Sequence, residues 1–201
     1  MHMIKSVWAK ALGALLIFTV LCGLLYPMVI TGISQIFFPY QANGSIIEVN
    51  GKKYGSALLG QQFTGSQYLW GRIMNLDTKT FTDSNGKPMM YAAPSNLNPA
   101  GSAYKKLVQE RVQKIRDADP DKKGVPIPED LVTCSGSGLD PHISPAAADY
   151  QVDRIAKARN MTQQQVRAVI AKYTGGKFLG IFGEDTVNVL EVNLALEGIL
   201  K

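Results

Sequence analysis

The stretch that decides how this chain must be read runs from Ala11 to Phe38, ALGALLIFTVLCGLLYPMVITGISQIFF, 28 residues without a charged side chain. Lys5 and Lys10 precede it. As an α-helix rising about 1.5 Å per residue it reaches roughly 42 Å, against roughly 30 Å of hydrocarbon in a bilayer. It is therefore predicted to cross a membrane with some tilt. A cleaved secretory signal fits less well, because its apolar region spans only about 7–15 residues and ends at a small-residue cleavage site. Lipoprotein processing at Cys22 calls for a small residue directly before the cysteine, and Leu21 stands there. Gly13, Gly23, Gly32 and Pro27 lie inside the run. Membrane helices tolerate such residues, and small ones let another helix approach closely. Pro27 is expected to kink the helix, and the cluster Phe37, Phe38, Pro39 and Tyr40 suits the far interface.

Charge gives the orientation. Lys5 and Lys10 flank the N-terminal end, whereas the first charge after the run is Glu48. Cytoplasmic flanks carry the excess of Lys and Arg. The expected layout is a cytoplasmic tail over 1–10, a transmembrane helix over 11–38 and an extracytoplasmic domain over 39–201, at the plasma membrane. The last part falls in the usual range for one domain with its own core. Lys5 and Lys10 are two of the 21 Lys and Arg, so the formal +5 falls to +3 beyond the span. Those bases are scattered, which argues against a nucleic-acid partner. Cys22, within the span, and Cys134, outside it, are the only cysteines and cannot pair, so no disulfide framework or Cys-rich metal site is expected.

Beyond the span the pattern is mixed, and the fold class expected is α+β behind a single N-terminal transmembrane helix. Asn50-Gly51 separates the β-prone runs Ser45–Val49 and Lys52–Tyr54, the signature of a type I′ hairpin. Residues 60–99 are rich in Gly, Asn, Ser and Pro with no sustained period, and read as an ordered but irregular surface. Trp70 and Arg72, in Gln67-Tyr68-Leu69-Trp70-Gly71-Arg72, suit an interface anchor, though Trp70 also suits the core. Asn98 and Pro99 open an amphipathic helix that closes at Asp119-Pro120. Ser144 with Pro145 opens another. Thr162 with Gln165 forms a capping box for a third, which Gly175-Gly176 ends. Thr186–Leu190 reads as a strand, and Glu191–Leu200 as a final helix.

The stretch Val132 to Ser144, VTCSGSGLDPHIS, invites a test for chemistry. Gly136-Ser137-Gly138 lacks the Gly-x-Ser-x-Gly spacing of a nucleophile elbow. Cys134 and His142, eight positions apart in a loop, have no reason to form a thiol dyad. Ser135 to Gly138 suit an anion-holding turn of backbone N–H groups and hydroxyls, or a plain turn. No Lys follows as a phosphate loop requires. No catalytic and no metal-ligating residue is assigned.

Taken in order, Tyr26-Pro27, Phe38-Pro39-Tyr40-Gln41-Ala42-Asn43-Gly44-Ser45, Gly55-Ser56-Ala57-Leu58-Leu59-Gly60-Gln61 and Gln67-Tyr68-Leu69-Trp70-Gly71-Arg72 begin a series of motifs. Ser95-Asn96-Leu97, Leu131-Val132-Thr133, Ser135-Gly136-Ser137-Gly138-Leu139-Asp140-Pro141-His142-Ile143, Ala156-Lys157-Ala158-Arg159-Asn160 and Val192-Asn193-Leu194-Ala195-Leu196 complete it. The series resembles, end to end, the C subunit of the Kdp-type potassium-transporting P-type ATPase. Ile73-Met74-Asn75 departs from the Pro-Ser that commonly follows the arginine in that family.

The resemblance implies an accessory subunit. Its expected partners are a channel-like potassium-conducting subunit, an ATP-hydrolysing P-type subunit and the lipid bilayer. The chain itself has no Asp-Lys-Thr-Gly-Thr phosphorylation motif and only one span, too few to build a pore, which fits a non-enzymatic role. The expected mechanism is that the helix packs on the pore-forming subunit while the exported domain caps its outer mouth. Asp77, Asp83, Asp140 and Asp149 either concentrate cations there or are ordinary solvated charges. The family also carries a proposal that this subunit acts as a catalytic chaperone, raising the ATP affinity of the ATPase subunit. Ser135, Gly136, Ser137, Gly138 and Gln151 are the matching positions. The charge-based topology puts them outside, away from cytoplasmic ATP, so no firmly bound cofactor is expected and ATP is met only through the complex. Two other classes stay open: a membrane-anchored exported hydrolase, and a free-standing extracytoplasmic binding module.

Overall fold

The uncharged stretch is helical as far as Phe37. The structure, a computed structural model, describes residues 2–201 in backbone and side chains from Val7 onward; the Lys5 side chain invoked above lies outside the described residues. Helix α1 (His2–Phe18) passes into a π-helical stretch (Thr19–Leu25) and then α2 (Tyr26–Phe37), followed by the short α3 (Pro39–Ala42). Within these, Val7–Phe37 is 31 residues long and apolar enough to cross a membrane. Pro27 has no N–H to give the carbonyl of Gly23, so the α-register cannot run undisturbed past it. The chain widens one turn earlier instead, where the Tyr26 N–H donates to Leu21 O, five residues back.

The chain divides into two compact units, 1–46 and 47–201. The second is the α+β domain. At its start, β1 (Ile46–Val49) and β2 (Lys52–Ser56) form the expected hairpin, with Asn50 at φ 53° and Gly51 at φ 76°, both positive as a type I′ turn requires. The region read as irregular contains a second hairpin, β3 (Leu76–Thr82) with β4 (Pro88–Ala92). Its turn closes through Gly86 (φ 75°) and through Asp83 Oδ1, which accepts from the Asn85 and Lys87 N–H groups. Asp77 Oδ1 gathers the Lys79 and Thr80 N–H groups where the register shifts. The hydrogen bond from Thr80, followed by those two backbone bonds, holds the Asp77 carboxyl below its usual range.

Five helices and a small sheet make the core. Helix α4 (Ser102–Ala118) starts later than Asn98 and Pro99 suggest. Asn98 makes a turn with them instead, its Oδ1 accepting from Ala100 N and its carbonyl from Gly101 N, and Gly101 takes the cap position. The strand β5 (His142–Ile143) leads to α5 (Pro145–Tyr150), capped by Ser144, and α6 (Val152–Arg159). Then α7 (Gln163–Lys172) carries the Thr162–Gln165 capping box, and β6 (Thr174–Gly175) and β7 (Thr186–Asn188) complete the sheet in the order β5-β7-β6, antiparallel throughout. The final helix, α8 (Val189–Leu196), begins where the sequence reading continued a strand. Asn188 Oδ1 accepts from the Glu191 N–H and sets the start, and Gly198 at φ 72° sets the end.

Helix α8 is apolar nearly all round because both of its sides are covered. Val189 and Val192 join the main core with Leu69, Trp70, Ile155, Val166 and Val187, while Leu190 and Leu194 meet Ile47 in a smaller cluster. A helix without a polar face must lie inside. Just past its end, Arg159 Nη1 donates to Leu196 O at 2.7 Å and Nη2 to Glu197 Oε1 at 2.5 Å. That bond, more than the opposing desolvation, holds the Glu197 carboxyl below its ordinary value of 4.5. A carboxylate with a depressed folded-state value contributes stability above its unfolded value and loses it as pH falls through the folded one. Glu197→Gln is therefore expected to lower Tm a little near neutral pH and to flatten the decline in Tm below about pH 4.5. Thermal melts between about pH 7 and pH 3 check this, and an unchanged acid limb contradicts it.

Candidate functional site

The segment Gly65 to Arg72 belongs to no helix or strand, yet its carbonyls up to Gly71 are all engaged. Trp70 Nε1 donates to Gly65 O at 2.8 Å. Arg154 Nη1 donates to Ser66 O and, at 3.0 Å, to Tyr68 O; Arg159 Nε donates to Gln67 O at 2.7 Å. Asn193 brackets Leu69, accepting from its N–H at 2.8 Å and donating to its carbonyl at 2.9 Å. Gln151 does the same for Trp70, at 2.8 and 3.0 Å. Arg111 Nη2 donates to Gly71 O at 2.7 Å. Each carbonyl from Gly65 to Gly71 thus receives a side-chain donor, and two amides do for this segment what a neighbouring strand does in a sheet.

The side chains of the segment fill the interior. Trp70 is 4 % exposed and takes Arg154 on its ring at 4.4 Å and Arg111 at 5.5 Å. These lie around a cavity of about 10 Å³, lined also by Asp119, Leu131, Tyr150 and Gln151. Burial, partly opposed by Asp119, pulls the Arg154 guanidinium down to about 10. Asp119 Oδ2 is buried without a hydrogen-bond partner. Trp70 is therefore core, and Arg72 is a bridge: its Nη2 reaches Thr133 Oγ1 at 3.1 Å and Cys134 O at 3.2 Å, and its Nη1 lies 3.7 Å from Asp140.

The Ser135–Gly138 turn is sewn to this segment's continuation. Ser135 Oγ accepts from Gly138 N at 3.0 Å and sits 3.2 Å from Ser137 Oγ, which accepts from Leu139 N. Asn75 N donates to Gly138 O, and Ile73 bridges Cys134 in parallel. Gly138 stands at φ 73°, and a Cβ there would fall 2.9 Å from Asn75 O. This packing needs glycine. Ser135, Ser137 and Gly138 are thus brought together, Gly136 lies between them, and Gln151 is elsewhere, with its amide bonded to Trp70, Ala147 and Arg154. Two of the turn's N–H groups, those of Gly138 and Leu139, are taken by its own hydroxyls. His142 does not join Cys134 or Ser137. Its Nδ1 lies 3.9 Å from Asp140 Oδ1, whereas the Cys134 thiol faces Ser135 O.

Sequence reasoning gave Arg111 and Arg154 no part and met Asn193 and Arg159 only inside family motifs, without a structural role for any of them.

A membrane-length helix joined to an α+β domain matches known proteins along nearly its entire length. The family model described as "KdpC: K+-transporting ATPase, c chain" matches residues 8–198. Similar chains include two named "Potassium-transporting ATPase KdpC subunit", from Clostridium perfringens (64 % identical, covering 96 % of this chain and 97 % of that one) and from Clostridium botulinum (64 %, 98 % of each). A more distant one, from Herpetosiphon aurantiacus, carries the same name at 45 % identity over 97 % of each chain. The chain belongs to the family of K+-transporting ATPase c chains.

Proposed function

We propose that this chain is a non-catalytic accessory subunit of an ATP-driven potassium uptake complex. The relatives' names supply the complex. The observation that carries the accessory role is the helix Val7–Phe37, long and apolar enough to cross a membrane, whose Gly13 and Gly32 have open space where a side chain would stand. Such notches suit close approach by helices of a polytopic partner. The N-terminus lies in the cytoplasm and the domain outside, where it caps the mouth of a channel-like subunit and stabilises its assembly with the ATP-hydrolysing one. The β3–β4 hairpin supports this reading, since a two-stranded ribbon exposed on both faces is marginal without a covering surface.

The nucleotide role stays as a second reading at Ser135, Gly136, Ser137, Gly138 and Gln151. The internal engagement of these residues favours a structural part for them, with ATP met only through the complex. To test the main reading, Gly13→Leu with Gly32→Leu is made in the complex. The double variant is expected to lose co-purification with the larger subunits and to reduce potassium-dependent growth at limiting potassium. Undiminished co-purification and growth contradict it.

A further inference from the structure

Between β6 and β7 the domain extends a small apolar tip, Lys177-Phe178-Leu179-Gly180-Ile181-Phe182-Gly183-Glu184. Phe178, Leu179, Ile181 and Phe182 are 71, 74, 75 and 62 % exposed. A group of four large apolar side chains held this far into solvent marks a contact surface. The loop closes on itself: Phe178 N donates to Phe182 O at 2.8 Å, Phe182 N to Phe178 O at 3.0 Å, Gly180 N to Lys177 O at 3.0 Å and Ile181 N to Phe178 O at 3.2 Å. Leu179 (φ 54°), Gly180 (φ 73°) and Gly183 (φ 85°) take the left-handed turns that make this closure. No charge interrupts Phe178 to Gly183, and at the base Lys177 pairs with Glu184 at 3.3 Å.

We infer that this tip seats in the interfacial layer of the same bilayer that the N-terminal helix crosses. The inference rests on the membrane-span reading and adds a second membrane contact to it. Three observations select lipid. The chain's own span keeps a bilayer within reach, since the link over residues 38–46 extends about 30 Å at most. The N–H groups of Phe178, Gly180, Ile181 and Phe182 are satisfied within the tip, which lowers the cost of carrying its backbone into an apolar phase. Its Phe, Leu and Ile end on a charged base, the layering of an interfacial anchor. The exposed β3–β4 hairpin instead interleaves Phe81, Met89, Met90 and Tyr91 with Asp77, Lys79, Asp83 and Lys87, and lacks that layering.

The test uses the full chain with Cys22→Ala and Cys134→Ala, carrying a nitroxide at Leu179→Cys or, as an aqueous reference, at Ser84→Cys in the β3–β4 turn. It is incorporated in nanodiscs of phosphatidylethanolamine and phosphatidylglycerol, and collision with oxygen is compared with collision with a water-soluble nickel chelate. The expected result is an oxygen-to-nickel ratio at position 179 several-fold above that at position 84, without any other subunit present. Equal ratios at the two positions overturn the inference. So does protection from both reagents that arises only when the larger subunits are added, because that marks a protein contact. Incorporation into the discs reports the span separately, so a chain that fails to incorporate indicts the span reading rather than the tip.

Discussion

Replacing Gln151 by Ala is expected to destabilise the domain by about 3–5 kcal/mol, a fall in Tm of roughly 10 °C. The change strips both backbone partners from Trp70, whose N–H and carbonyl are buried against that one amide. Leaving a buried polar group unsatisfied costs about 1–3 kcal/mol, and here two are orphaned while Arg154 Nη2 also loses its acceptor. The expected companion effect is loss of the chain from the assembled complex. If Gln151 instead serves the nucleotide, the variant keeps its melting temperature and its place in the complex, and the ATP KM of the complex rises. A thermal melt read beside ATP-dependence kinetics distinguishes the two.

Trp70→Ala is expected to be the more damaging, at about 5 kcal/mol, comparable with the whole stability of many domains. The indole fills the centre of the main core, anchors the segment through the Nε1 bond to Gly65 O, and carries two guanidiniums on its face. Truncation leaves those cations over a void. Trp70→Phe keeps the apolar contact and part of the cation–π attraction, and is expected to lose roughly 1–2 kcal/mol. Trp8 and Trp70 are the only tryptophans, so near-ultraviolet circular dichroism follows the site with little interference. A Trp70→Ala chain that retains its thermal midpoint contradicts the reading of Gly65 to Arg72 as the segment around which the domain closes.

Features written in local chemistry were legible in the sequence. The uncharged run, the Asn50-Gly51 turn, the Ser144 cap and the Thr162–Gln165 box each carry their structural reason within a few residues. The β3–β4 hairpin was not, because both of its faces are exposed and no apolar alternation marks the strands. The early start of α8 was available in Asn188 and Glu191, whose three-residue spacing signals a cap, but β-branched Val187 and Val189 pointed the other way. The engagement of Gly65 to Arg72 was out of reach. Its donors arrive from Arg111, Gln151, Arg154, Arg159 and Asn193, 40 to 124 positions away, and only the folded chain brings them to one backbone.

The central claim is that the domain lies outside the membrane, where it can cap a pore but cannot touch cytoplasmic ATP. Its most direct test is labelling of Ser84→Cys, at the exposed turn of the β3–β4 hairpin, in intact cells expressing the complex with Cys22→Ala and Cys134→Ala. A membrane-impermeant maleimide is expected to label it without any opening of the membrane. Labelling that occurs only after the cells are permeabilised contradicts the topology and returns the Ser135–Gly138 turn to the side where nucleotide is found.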